Sequence, residues 1–137
     1  MSGALLLDTH AWYWLVDGSP RLPDESRRTI DRAAARGELL VSVISAWEIA
    51  MLEAKARVAF DIGCLDWIRQ ALAPPIQLVP ITPEIAFEST RLPEPFQRDP
   101  VDRLLTATAR VDRLTLMTRD RRILEYAAQG HVRVLAC

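Results

Sequence analysis

Four carboxylates occur where they could share one site: Asp8, Glu48, Asp102 and Asp120. Asp8 directly follows an apolar run, Glu48 lies shortly after a second run, and Asp120 lies two residues after a third. Asp102 belongs to a D-P-x-D segment that begins at Asp99. Two unpaired negative charges about 4 Å apart repel by roughly 4 kcal/mol at an effective dielectric of 20, so four gathered carboxylates need cations or protons.

The composition of this group indicates the chemistry. No histidine or cysteine cluster accompanies the acids, because the chain has only two residues of each type. A site of oxygen ligands alone suits Mg²⁺ or Mn²⁺. Such an ion can polarise a phosphoryl group and lower the pKa of a bound water, and two ions can hold both the attacking and the leaving oxygen. The residue types therefore indicate phosphodiester hydrolysis.

Each acid also has a structural explanation, because acidic residues are common where helices begin. Ser45 and Glu48 fit the S-x-x-E pattern of a capping box that opens a helix. The other acids that could stabilise a helix start are Asp8, Asp99, Asp102 and Asp120. A shared site is favoured over separate helix starts only if the fold brings these residues together.

Apolar runs alternate with helical segments and predict an α/β fold. The predicted strands are Ala4–Leu7, Leu39–Ile44, Ile76–Ile81, Leu114–Thr118 and Val132–Leu135. This alternation predicts a parallel sheet that is covered on both faces. Ligands bind beyond the carboxyl ends of such strands. We therefore expect Asp8, Glu48 and Asp120 at one edge of the sheet, where Asp102 could join them.

Other side chains near the acids could assist the chemistry or only support the structure. Ser45 and Thr118 could orient a water or a phosphate, and a helix cap is the stronger alternative for Ser45. His10 could be a general base, but a place at the rim of the first helix is favoured, because His131 is the only other histidine. Three tryptophans could stack on bases, but packing in the core or in an interface is the favoured alternative: Trp12, Trp14 and Trp47. Some arginines of the C-terminal third could contact phosphates, although solvation at the surface is expected for most: Arg103, Arg110, Arg113, Arg119, Arg121 and Arg122.

The composition limits the class of protein. With 137 residues, we expect one domain spanning 1–137. The formal net charge of -1 argues against a passive, high-affinity nucleic-acid binder, although an enzyme could still hold RNA briefly. Cys64 and Cys137 form neither a disulfide framework nor a zinc site. No secretory signal pattern and no apolar stretch near the roughly 20 residues that span a bilayer is found, so we expect a soluble, cytoplasmic protein without a membrane partner.

Four segments in their order and spacing resemble the PIN-domain family: LLLDTHAW, SVISAWEIA, RDPVDRLLTATA and LMTRD. Within that family the chain is similar to VapC-type ribonuclease toxins of type II toxin–antitoxin systems, from Ala4 to Leu135. The resemblance implies a three-layer α/β/α fold around a mainly parallel sheet of about five strands. It also implies Mg²⁺- or Mn²⁺-dependent endonucleolytic cleavage of RNA, a homodimer, and a small antitoxin protein that blocks the site.

The resemblance also implies roles for single residues. Asp8, Glu48, Asp102 and Asp120 match the four acids of the family site in that order. Asp8 and Asp102 would be the most direct metal ligands, and Glu48 and Asp120 would complete the acidic pocket. Thr118 matches a small hydroxyl residue that is common beside the fourth acid.

The chain departs from the family pattern in two places. Gln97 stands two residues before the D-P-x-D motif, where histidine is common, and the role of Asp99 in that motif is open. Leu52 and Glu53 occupy a segment that often contains a lysine followed by a glycine. These differences leave the four acids in place and concern substrate contacts and catalytic efficiency.

Two other functions fit parts of the sequence. A phosphatase of the haloacid-dehalogenase type would use Asp8 as a nucleophile, but such enzymes favour D-x-D, whereas this chain has Asp8-Thr9-His10. A non-catalytic interaction module would use the acids as helix caps and the tryptophans as an interface. A trapped phosphoryl-aspartate would support the phosphatase, and partner binding without metal or nuclease activity would support the module.

Overall fold

The computed structural model describes residues 4–137 and contains one five-stranded sheet. The elements in chain order are β1 (Leu5–Leu7), α1 (Thr9–Asp17), α2 (Asp24–Ala35), β2 (Leu39–Ser42), α3 (Val43–Ala54), α4 (Cys64–Ala71), β3 (Gln77–Val79), α5 (Pro83–Ser89), α6 (Pro100–Val111), β4 (Thr115–Thr118), α7 (Arg121–Ala128) and β5 (Arg133–Ala136). The strand order is β3-β2-β1-β4-β5, and every pair is parallel. The predicted α/β fold with a parallel sheet is confirmed.

Helices cover both faces of the sheet, because successive side chains of a strand point to opposite faces. Leu5 and Leu7 of β1 pack into a core with residues of α1, α2 and α4. Leu6, between them, packs into a second core with residues of α6 and α7. All three leucines are almost completely buried. The three-layer α/β/α arrangement is therefore confirmed.

The first strand, β1, lies at the centre of the sheet. Leu7 is in register with Val41 of β2 and with Met117 of β4. The backbone N–H of Asp8 donates to the carbonyl of Met117 at 3.0 Å. The residues that follow β1, β2 and β4 therefore meet at one edge of the sheet.

The beginning of α3 differs from the sequence prediction. The helix begins at Val43, and Ser42 is its N-cap, with a side-chain oxygen that accepts from the N–H of Ile44 at 3.1 Å. Ser45 lies inside the first turn, so the prediction of a capping box formed by Ser45 and Glu48 is wrong. The β-branched pair at 43 and 44 favours a strand locally, but the serine before it satisfies the free N–H groups of a helix start.

The other strands end within two residues of their predicted bounds. Pro80 directly follows β3. Proline has no backbone N–H to donate within a sheet and therefore predicts an edge strand, and β3 does lie at the edge. Within residues 4–137, no helix combines the length and the apolar character needed to cross a membrane.

Candidate active site

The four acids line one open cavity of about 390 Å³ at the carboxyl edge of the sheet. We call this cavity the acidic pocket. Its lining consists of Asp8, Thr9, His10, Trp14, Arg21, Glu48, Asp99, Asp102, Leu105, Arg119, Asp120 and Arg122. The expectation that Asp102 could join the other three acids agrees with this arrangement.

Asp8 is held by two hydrogen bonds at the end of β1. Its Oδ1 accepts from the N–H of Ala11 at 2.8 Å, which makes Asp8 the N-cap of α1. Its Oδ2 accepts from the hydroxyl of Thr118 at 2.6 Å. The residue is only 7% exposed, and this burial raises the pKa of the carboxyl, while both hydrogen bonds act in the opposite direction. The carboxylate is therefore fixed in position and short of solvent.

Thr118 connects the first and fourth acids. Besides donating to Asp8, its oxygen accepts from the N–H of Asp120 at 3.0 Å. Asp120 is the N-cap of α7, because its Oδ1 accepts from the N–H of Ile123 at 3.1 Å. Its Oδ2 lies 3.9 Å from the guanidinium of Arg122. Thr118 is fully buried behind the pocket, so it positions the acids and does not line the cavity.

Glu48 reaches the pocket from the second turn of α3. Partial burial raises the pKa of its carboxyl, a polar contact with Thr9 lowers it, and the charges of Asp99 and Asp8 raise it further. The hydroxyl of Thr9 also donates to Ser45 Oγ at 2.9 Å. Ser45 is fully buried and does not line the pocket, but this hydrogen bond joins it to Thr9, which does.

Asp102 lies in the first turn of α6, after the N-cap Asp99, whose Oδ1 accepts from the N–H of Val101 at 3.0 Å. Burial raises the pKa of the Asp102 carboxyl to about 7, with further contributions from the charges of Asp99, Asp120 and Glu48. Without a cation, Asp102 therefore holds a proton for much of the time near neutral pH. A bound cation would replace that proton.

The carboxylates fit an open magnesium or manganese site. Among residues 4–137, no group of three or more His, Cys, Asp or Glu side chains is arranged to hold a metal ion by itself. Mg²⁺, however, commonly binds one or two carboxylates and completes its coordination with waters and substrate phosphate oxygens. Asp8 and Asp102 both line the pocket and are available as such a pair, and burial is the main cause of their raised pKa values.

Three arginines bring positive charge to the pocket. Arg119 and Arg122 come from the basic C-terminal segment, and the guanidinium of Arg119 lies 4.9 Å from the ring centroid of Trp14. Arg21 reaches the pocket after a reversal at Gly18, whose φ of 68° is one that glycine adopts readily. No pattern in the sequence indicates Arg21, and sequence reasoning missed it together with Thr9 and Leu105.

The remaining candidates have different surroundings. Trp12 is fully buried and its indole N–H donates to the carbonyl of Ala71 at 2.9 Å, so it belongs to the core. Trp14 lines the pocket, whereas Trp47 is 55% exposed and lies outside the pocket lining. His10 is exposed at the pocket rim, as favoured from the sequence. The amide oxygen and nitrogen of the Gln97 side chain are buried without hydrogen-bond partners, outside the pocket lining.

Comparison with protein families gives a match over most of the chain. The family model of the PIN domain matches residues 5–129. The chain belongs to the PIN-domain family. This PIN domain is also 39% identical over 119 residues to Ribonuclease VapC22 of Mycobacterium tuberculosis (strain ATCC 25618 / H37Rv), and the match covers 87% of this chain and 88% of the relative.

Solved structures share the fold of this PIN domain. The VapBC2 structure from Rickettsia felis, bound to a DNA fragment from its promoter, matches with a TM-score of 0.73 at 14% identity, over 98% of each chain. The DNA-bound VapBC structure from Salmonella typhimurium matches with a TM-score of 0.70 at 14% identity, over 99% of this chain and 98% of the other. At these identities the likeness concerns the fold, and it agrees with the three-layer arrangement.

Proposed function

We propose that this PIN domain is a divalent-metal-dependent endoribonuclease and the toxin of a toxin–antitoxin pair. The observation that carries the proposal is the convergence of Asp8, Glu48, Asp102 and Asp120 on one pocket without competing thiol or imidazole ligands. The relative named Ribonuclease VapC22 supports cleavage of RNA. The structural neighbours that are VapBC complexes support an antitoxin partner.

The proposed metal ligands are Asp8 and Asp102, with Mg²⁺ or Mn²⁺ as the ion. The ion supplies a positive charge that polarises the phosphoryl group and makes a bound water more acidic. Asp8 presents its carboxylate in a fixed orientation, because the N–H of Ala11 and the hydroxyl of Thr118 hold it. Asp102 would hold the ion as a carboxylate, because a bound cation would offset the burial and the neighbouring acids that raise the pKa of its carboxyl.

The other pocket residues would complete the reaction. Glu48 has a carboxyl whose pKa is raised by burial, so it is suited to accept a proton from the attacking water. Asp120 adds negative charge that favours the ion. Arg119 and Arg122 at the pocket can contact phosphate oxygens of the RNA on either side of the cleaved bond. Thr118, Ser45 and Asp99 act by positioning, through the contacts described above.

The proposed partners and location follow from the same role. The antitoxin would block the acidic pocket, and the toxin would form a homodimer. Large apolar side chains that are at least half exposed in residues 4–137 support such contacts, among them Trp47, Leu78 and Phe87. An enzyme that acts on cellular RNA in this way would work in the cytoplasm.

Cleavage of total cellular RNA tests the proposal. The purified protein is assayed with Mg²⁺, with Mn²⁺ and with EDTA, beside Asp8→Asn and Asp102→Asn. Asparagine at position 8 keeps an oxygen that can cap α1, so the fold should persist while the metal ligand is lost. We expect a loss of cleavage of at least about 100-fold in both variants and in EDTA. Asp31→Asn, which changes an exposed acid on α2, should cleave like the wild type.

A non-catalytic module is the second candidate, because Asp8, Asp99 and Asp120 do cap helices. Glu48 and Asp102 cap no helix, and the module gives no reason for their burial beside other acids. Wild-type cleavage rates in Asp8→Asn and Asp102→Asn would favour the module over the ribonuclease. The phosphatase is disfavoured, because both oxygens of the Asp8 side chain accept hydrogen bonds and the residue is almost buried.

A further inference from the structure

A second pocket, of about 350 Å³, adjoins the acidic pocket along α1. The two pockets share four lining residues, Thr9, His10, Trp14 and Arg21. We call the second one the side pocket. Because the walls are shared, a chain molecule bound at the acids can extend into the side pocket without leaving the surface. The volume lies in the range of small-molecule sites, which starts at about 300 Å³.

The side pocket differs in chemistry from its neighbour, because no carboxylate lines it. Beyond the shared wall it is formed by Tyr13 and by aliphatic side chains that include Leu52 and Val58. Two arginines, Arg21 and Arg57, also line it, and both are exposed. Neither arginine has a carboxylate within 4 Å in the part of the chain that the structure describes. The pocket therefore combines an apolar and aromatic wall with unneutralised positive charge.

The turn after α3 builds this wall. Ala56 has a left-handed φ of 58°, and the N–H of Arg57 donates to the carbonyl of Leu52 at 2.8 Å. The chain thus reverses at the helix end and brings Arg57 and Val58 beside Leu52. This is also the segment in which the sequence departs from its family, since Leu52 stands in the region where a lysine is common. The departure lies in the wall of the side pocket and not among the acids.

A nucleotide matches both parts of the side pocket, the apolar and aromatic wall and the two arginines. Its base offers a flat, largely apolar face that stacks on aromatic side chains and on arginine, and its phosphate is an anion that arginine binds with paired hydrogen bonds. An acidic protein segment would match the arginines, and an antitoxin that blocks the acidic pocket could reach them along the same shared wall. A nucleotide is favoured as the occupant, because Tyr13 with Arg21 and Arg57 offers contacts for both a base and a phosphate, and RNA bound at the carboxylates supplies both from one strand.

We propose that the side pocket binds the nucleotide next to the cleaved bond and so determines the base preference of cleavage. The base packs against Tyr13 and Leu52, and the phosphate contacts Arg21 and Arg57. This inference rests on the proposed ribonuclease activity and adds which part of the RNA the enzyme recognises, namely the base beside the cleaved bond. Leu52 is the specificity-determining residue, because its side chain limits the space for the base.

The test compares base preferences of the full-length protein on a synthetic RNA with a randomised segment between fixed ends. The ends of the products are sequenced after cleavage in Mg²⁺ or Mn²⁺. Leu52→Trp fills the pocket, and Arg57→Gln removes a charge. The matched controls are Leu65→Trp and Arg28→Gln, at exposed positions of α4 and α2.

The proposal predicts that the wild type prefers particular bases at one position beside the cut. Leu52→Trp should reduce that preference by about tenfold and leave the other positions unchanged. Arg57→Gln should raise KM several-fold with little change in kcat, because it removes binding shared by the ground state and the transition state. The two controls should match the wild type. Wild-type preference and KM in both pocket variants would overturn the proposal and leave the pocket to a protein partner.

A binding measurement separates this proposal from the proposed activity. AMP, GMP, CMP and UMP are titrated into the metal-free Asp102→Asn protein, and the backbone amide resonances of Leu52 and Val58, which both line the side pocket, are followed by NMR. We expect at least one nucleotide to shift them in the parent and to shift them less with Arg57→Gln added. Metal-dependent cleavage without such shifts overturns the side pocket alone. If the wild type does not cleave RNA with metal present, the proposed activity is overturned. If the nucleotides also shift no resonance of the Asp102→Asn protein, the side pocket is overturned as well.

Discussion

The hydroxyl of Thr118 donates a 2.6 Å hydrogen bond to Oδ2 of Asp8 and so joins the carboxyl ends of β4 and β1. The same oxygen accepts from the N–H of Asp120. Both bonds involve groups with little access to water, since Thr118 is fully buried and Asp8 nearly so. One small side chain therefore holds two of the four acids in their relative positions.

Replacing Thr118 by valine should destabilise the protein by about 2 kcal/mol, because a hydrogen bond to a charged, buried carboxylate is lost. Urea unfolding measures this change. Thr106→Val is the matched control, because the Thr106 hydroxyl is also buried but has no hydrogen-bond partner. Its removal should be neutral or stabilising. Equal losses in the two variants would contradict the role assigned to Thr118.

Magnesium should raise the melting temperature of the wild type at pH 7.5. An ion present at 100 times its dissociation constant adds about 2.7 kcal/mol to the free energy of unfolding, which corresponds to several degrees for a domain of this size. Asp102→Asn should remove most of the increase, because one of the two proposed ligands is lost. Thermal unfolding with Mg²⁺ and with EDTA measures both effects. A wild-type shift in the variant would exclude Asp102 as a ligand.

Without metal, stability should fall as the pH rises from about 4 to about 7. The pKa of Asp102 is 3.8 in its ordinary state and about 7 in the fold, so the folded protein binds more protons than the unfolded chain across this interval. Stability is therefore greatest below the lower value and is lost as the pH approaches the higher one. The Asp102 contribution is on the order of 2 kcal/mol after allowance for solvent screening of a partly exposed group.

Urea unfolding in EDTA at several pH values checks this dependence. The curve of Asp102→Asn should be flatter than that of the wild type, although Asp8 and Glu48, whose pKa values are also raised, retain part of the slope. The exposed acid Asp31 offers the control, and Asp31→Asn should follow the wild type. Parallel curves for the wild type and Asp102→Asn would refute the assignment.

Ala56→Gly should stabilise the protein by about 1 kcal/mol. Ala56 has a left-handed φ of 58°, a conformation that costs a residue with a Cβ roughly 1–2 kcal/mol and that glycine adopts freely. Chemical denaturation measures the gain. Ala50→Gly, at an exposed position within α3, should instead lose about 1 kcal/mol, because glycine weakens a helix interior. A loss in both variants would argue against strain at Ala56.

The fold and the location of the acids follow from local patterns in the sequence. Short apolar runs alternate with helical segments, and a parallel sheet must align the carboxyl ends of its strands. Asp8 directly follows such a run and Asp120 comes two residues after another, so their meeting could be predicted from order alone. Their roles as helix caps and as pocket residues also proved compatible, because a capping carboxylate uses only part of its capacity to accept hydrogen bonds.

Other features depend on contacts between distant parts of the chain. Local sequence could not decide whether α3 begins after Ser42 or after Ser45. The two residues between these serines favour a strand, and tertiary packing determines where β2 ends. Arg21 reaches the acidic pocket only through the reversal at Gly18. The side pocket depends on the left-handed turn at Ala56, and alanine gives no sequence signal for such a turn.

The central position of β1 has a consequence for synthesis of the protein on the ribosome. Among the described strands β1 comes earliest in the chain, yet one of its two neighbours, β4, begins only at Thr115. Until that segment emerges, one edge of β1 is unpaired, and neither Thr118 nor Asp120 is present to complete the site around Asp8. A chain that ends before β4 therefore lacks Thr118 and Asp120, two of the residues that surround Asp8.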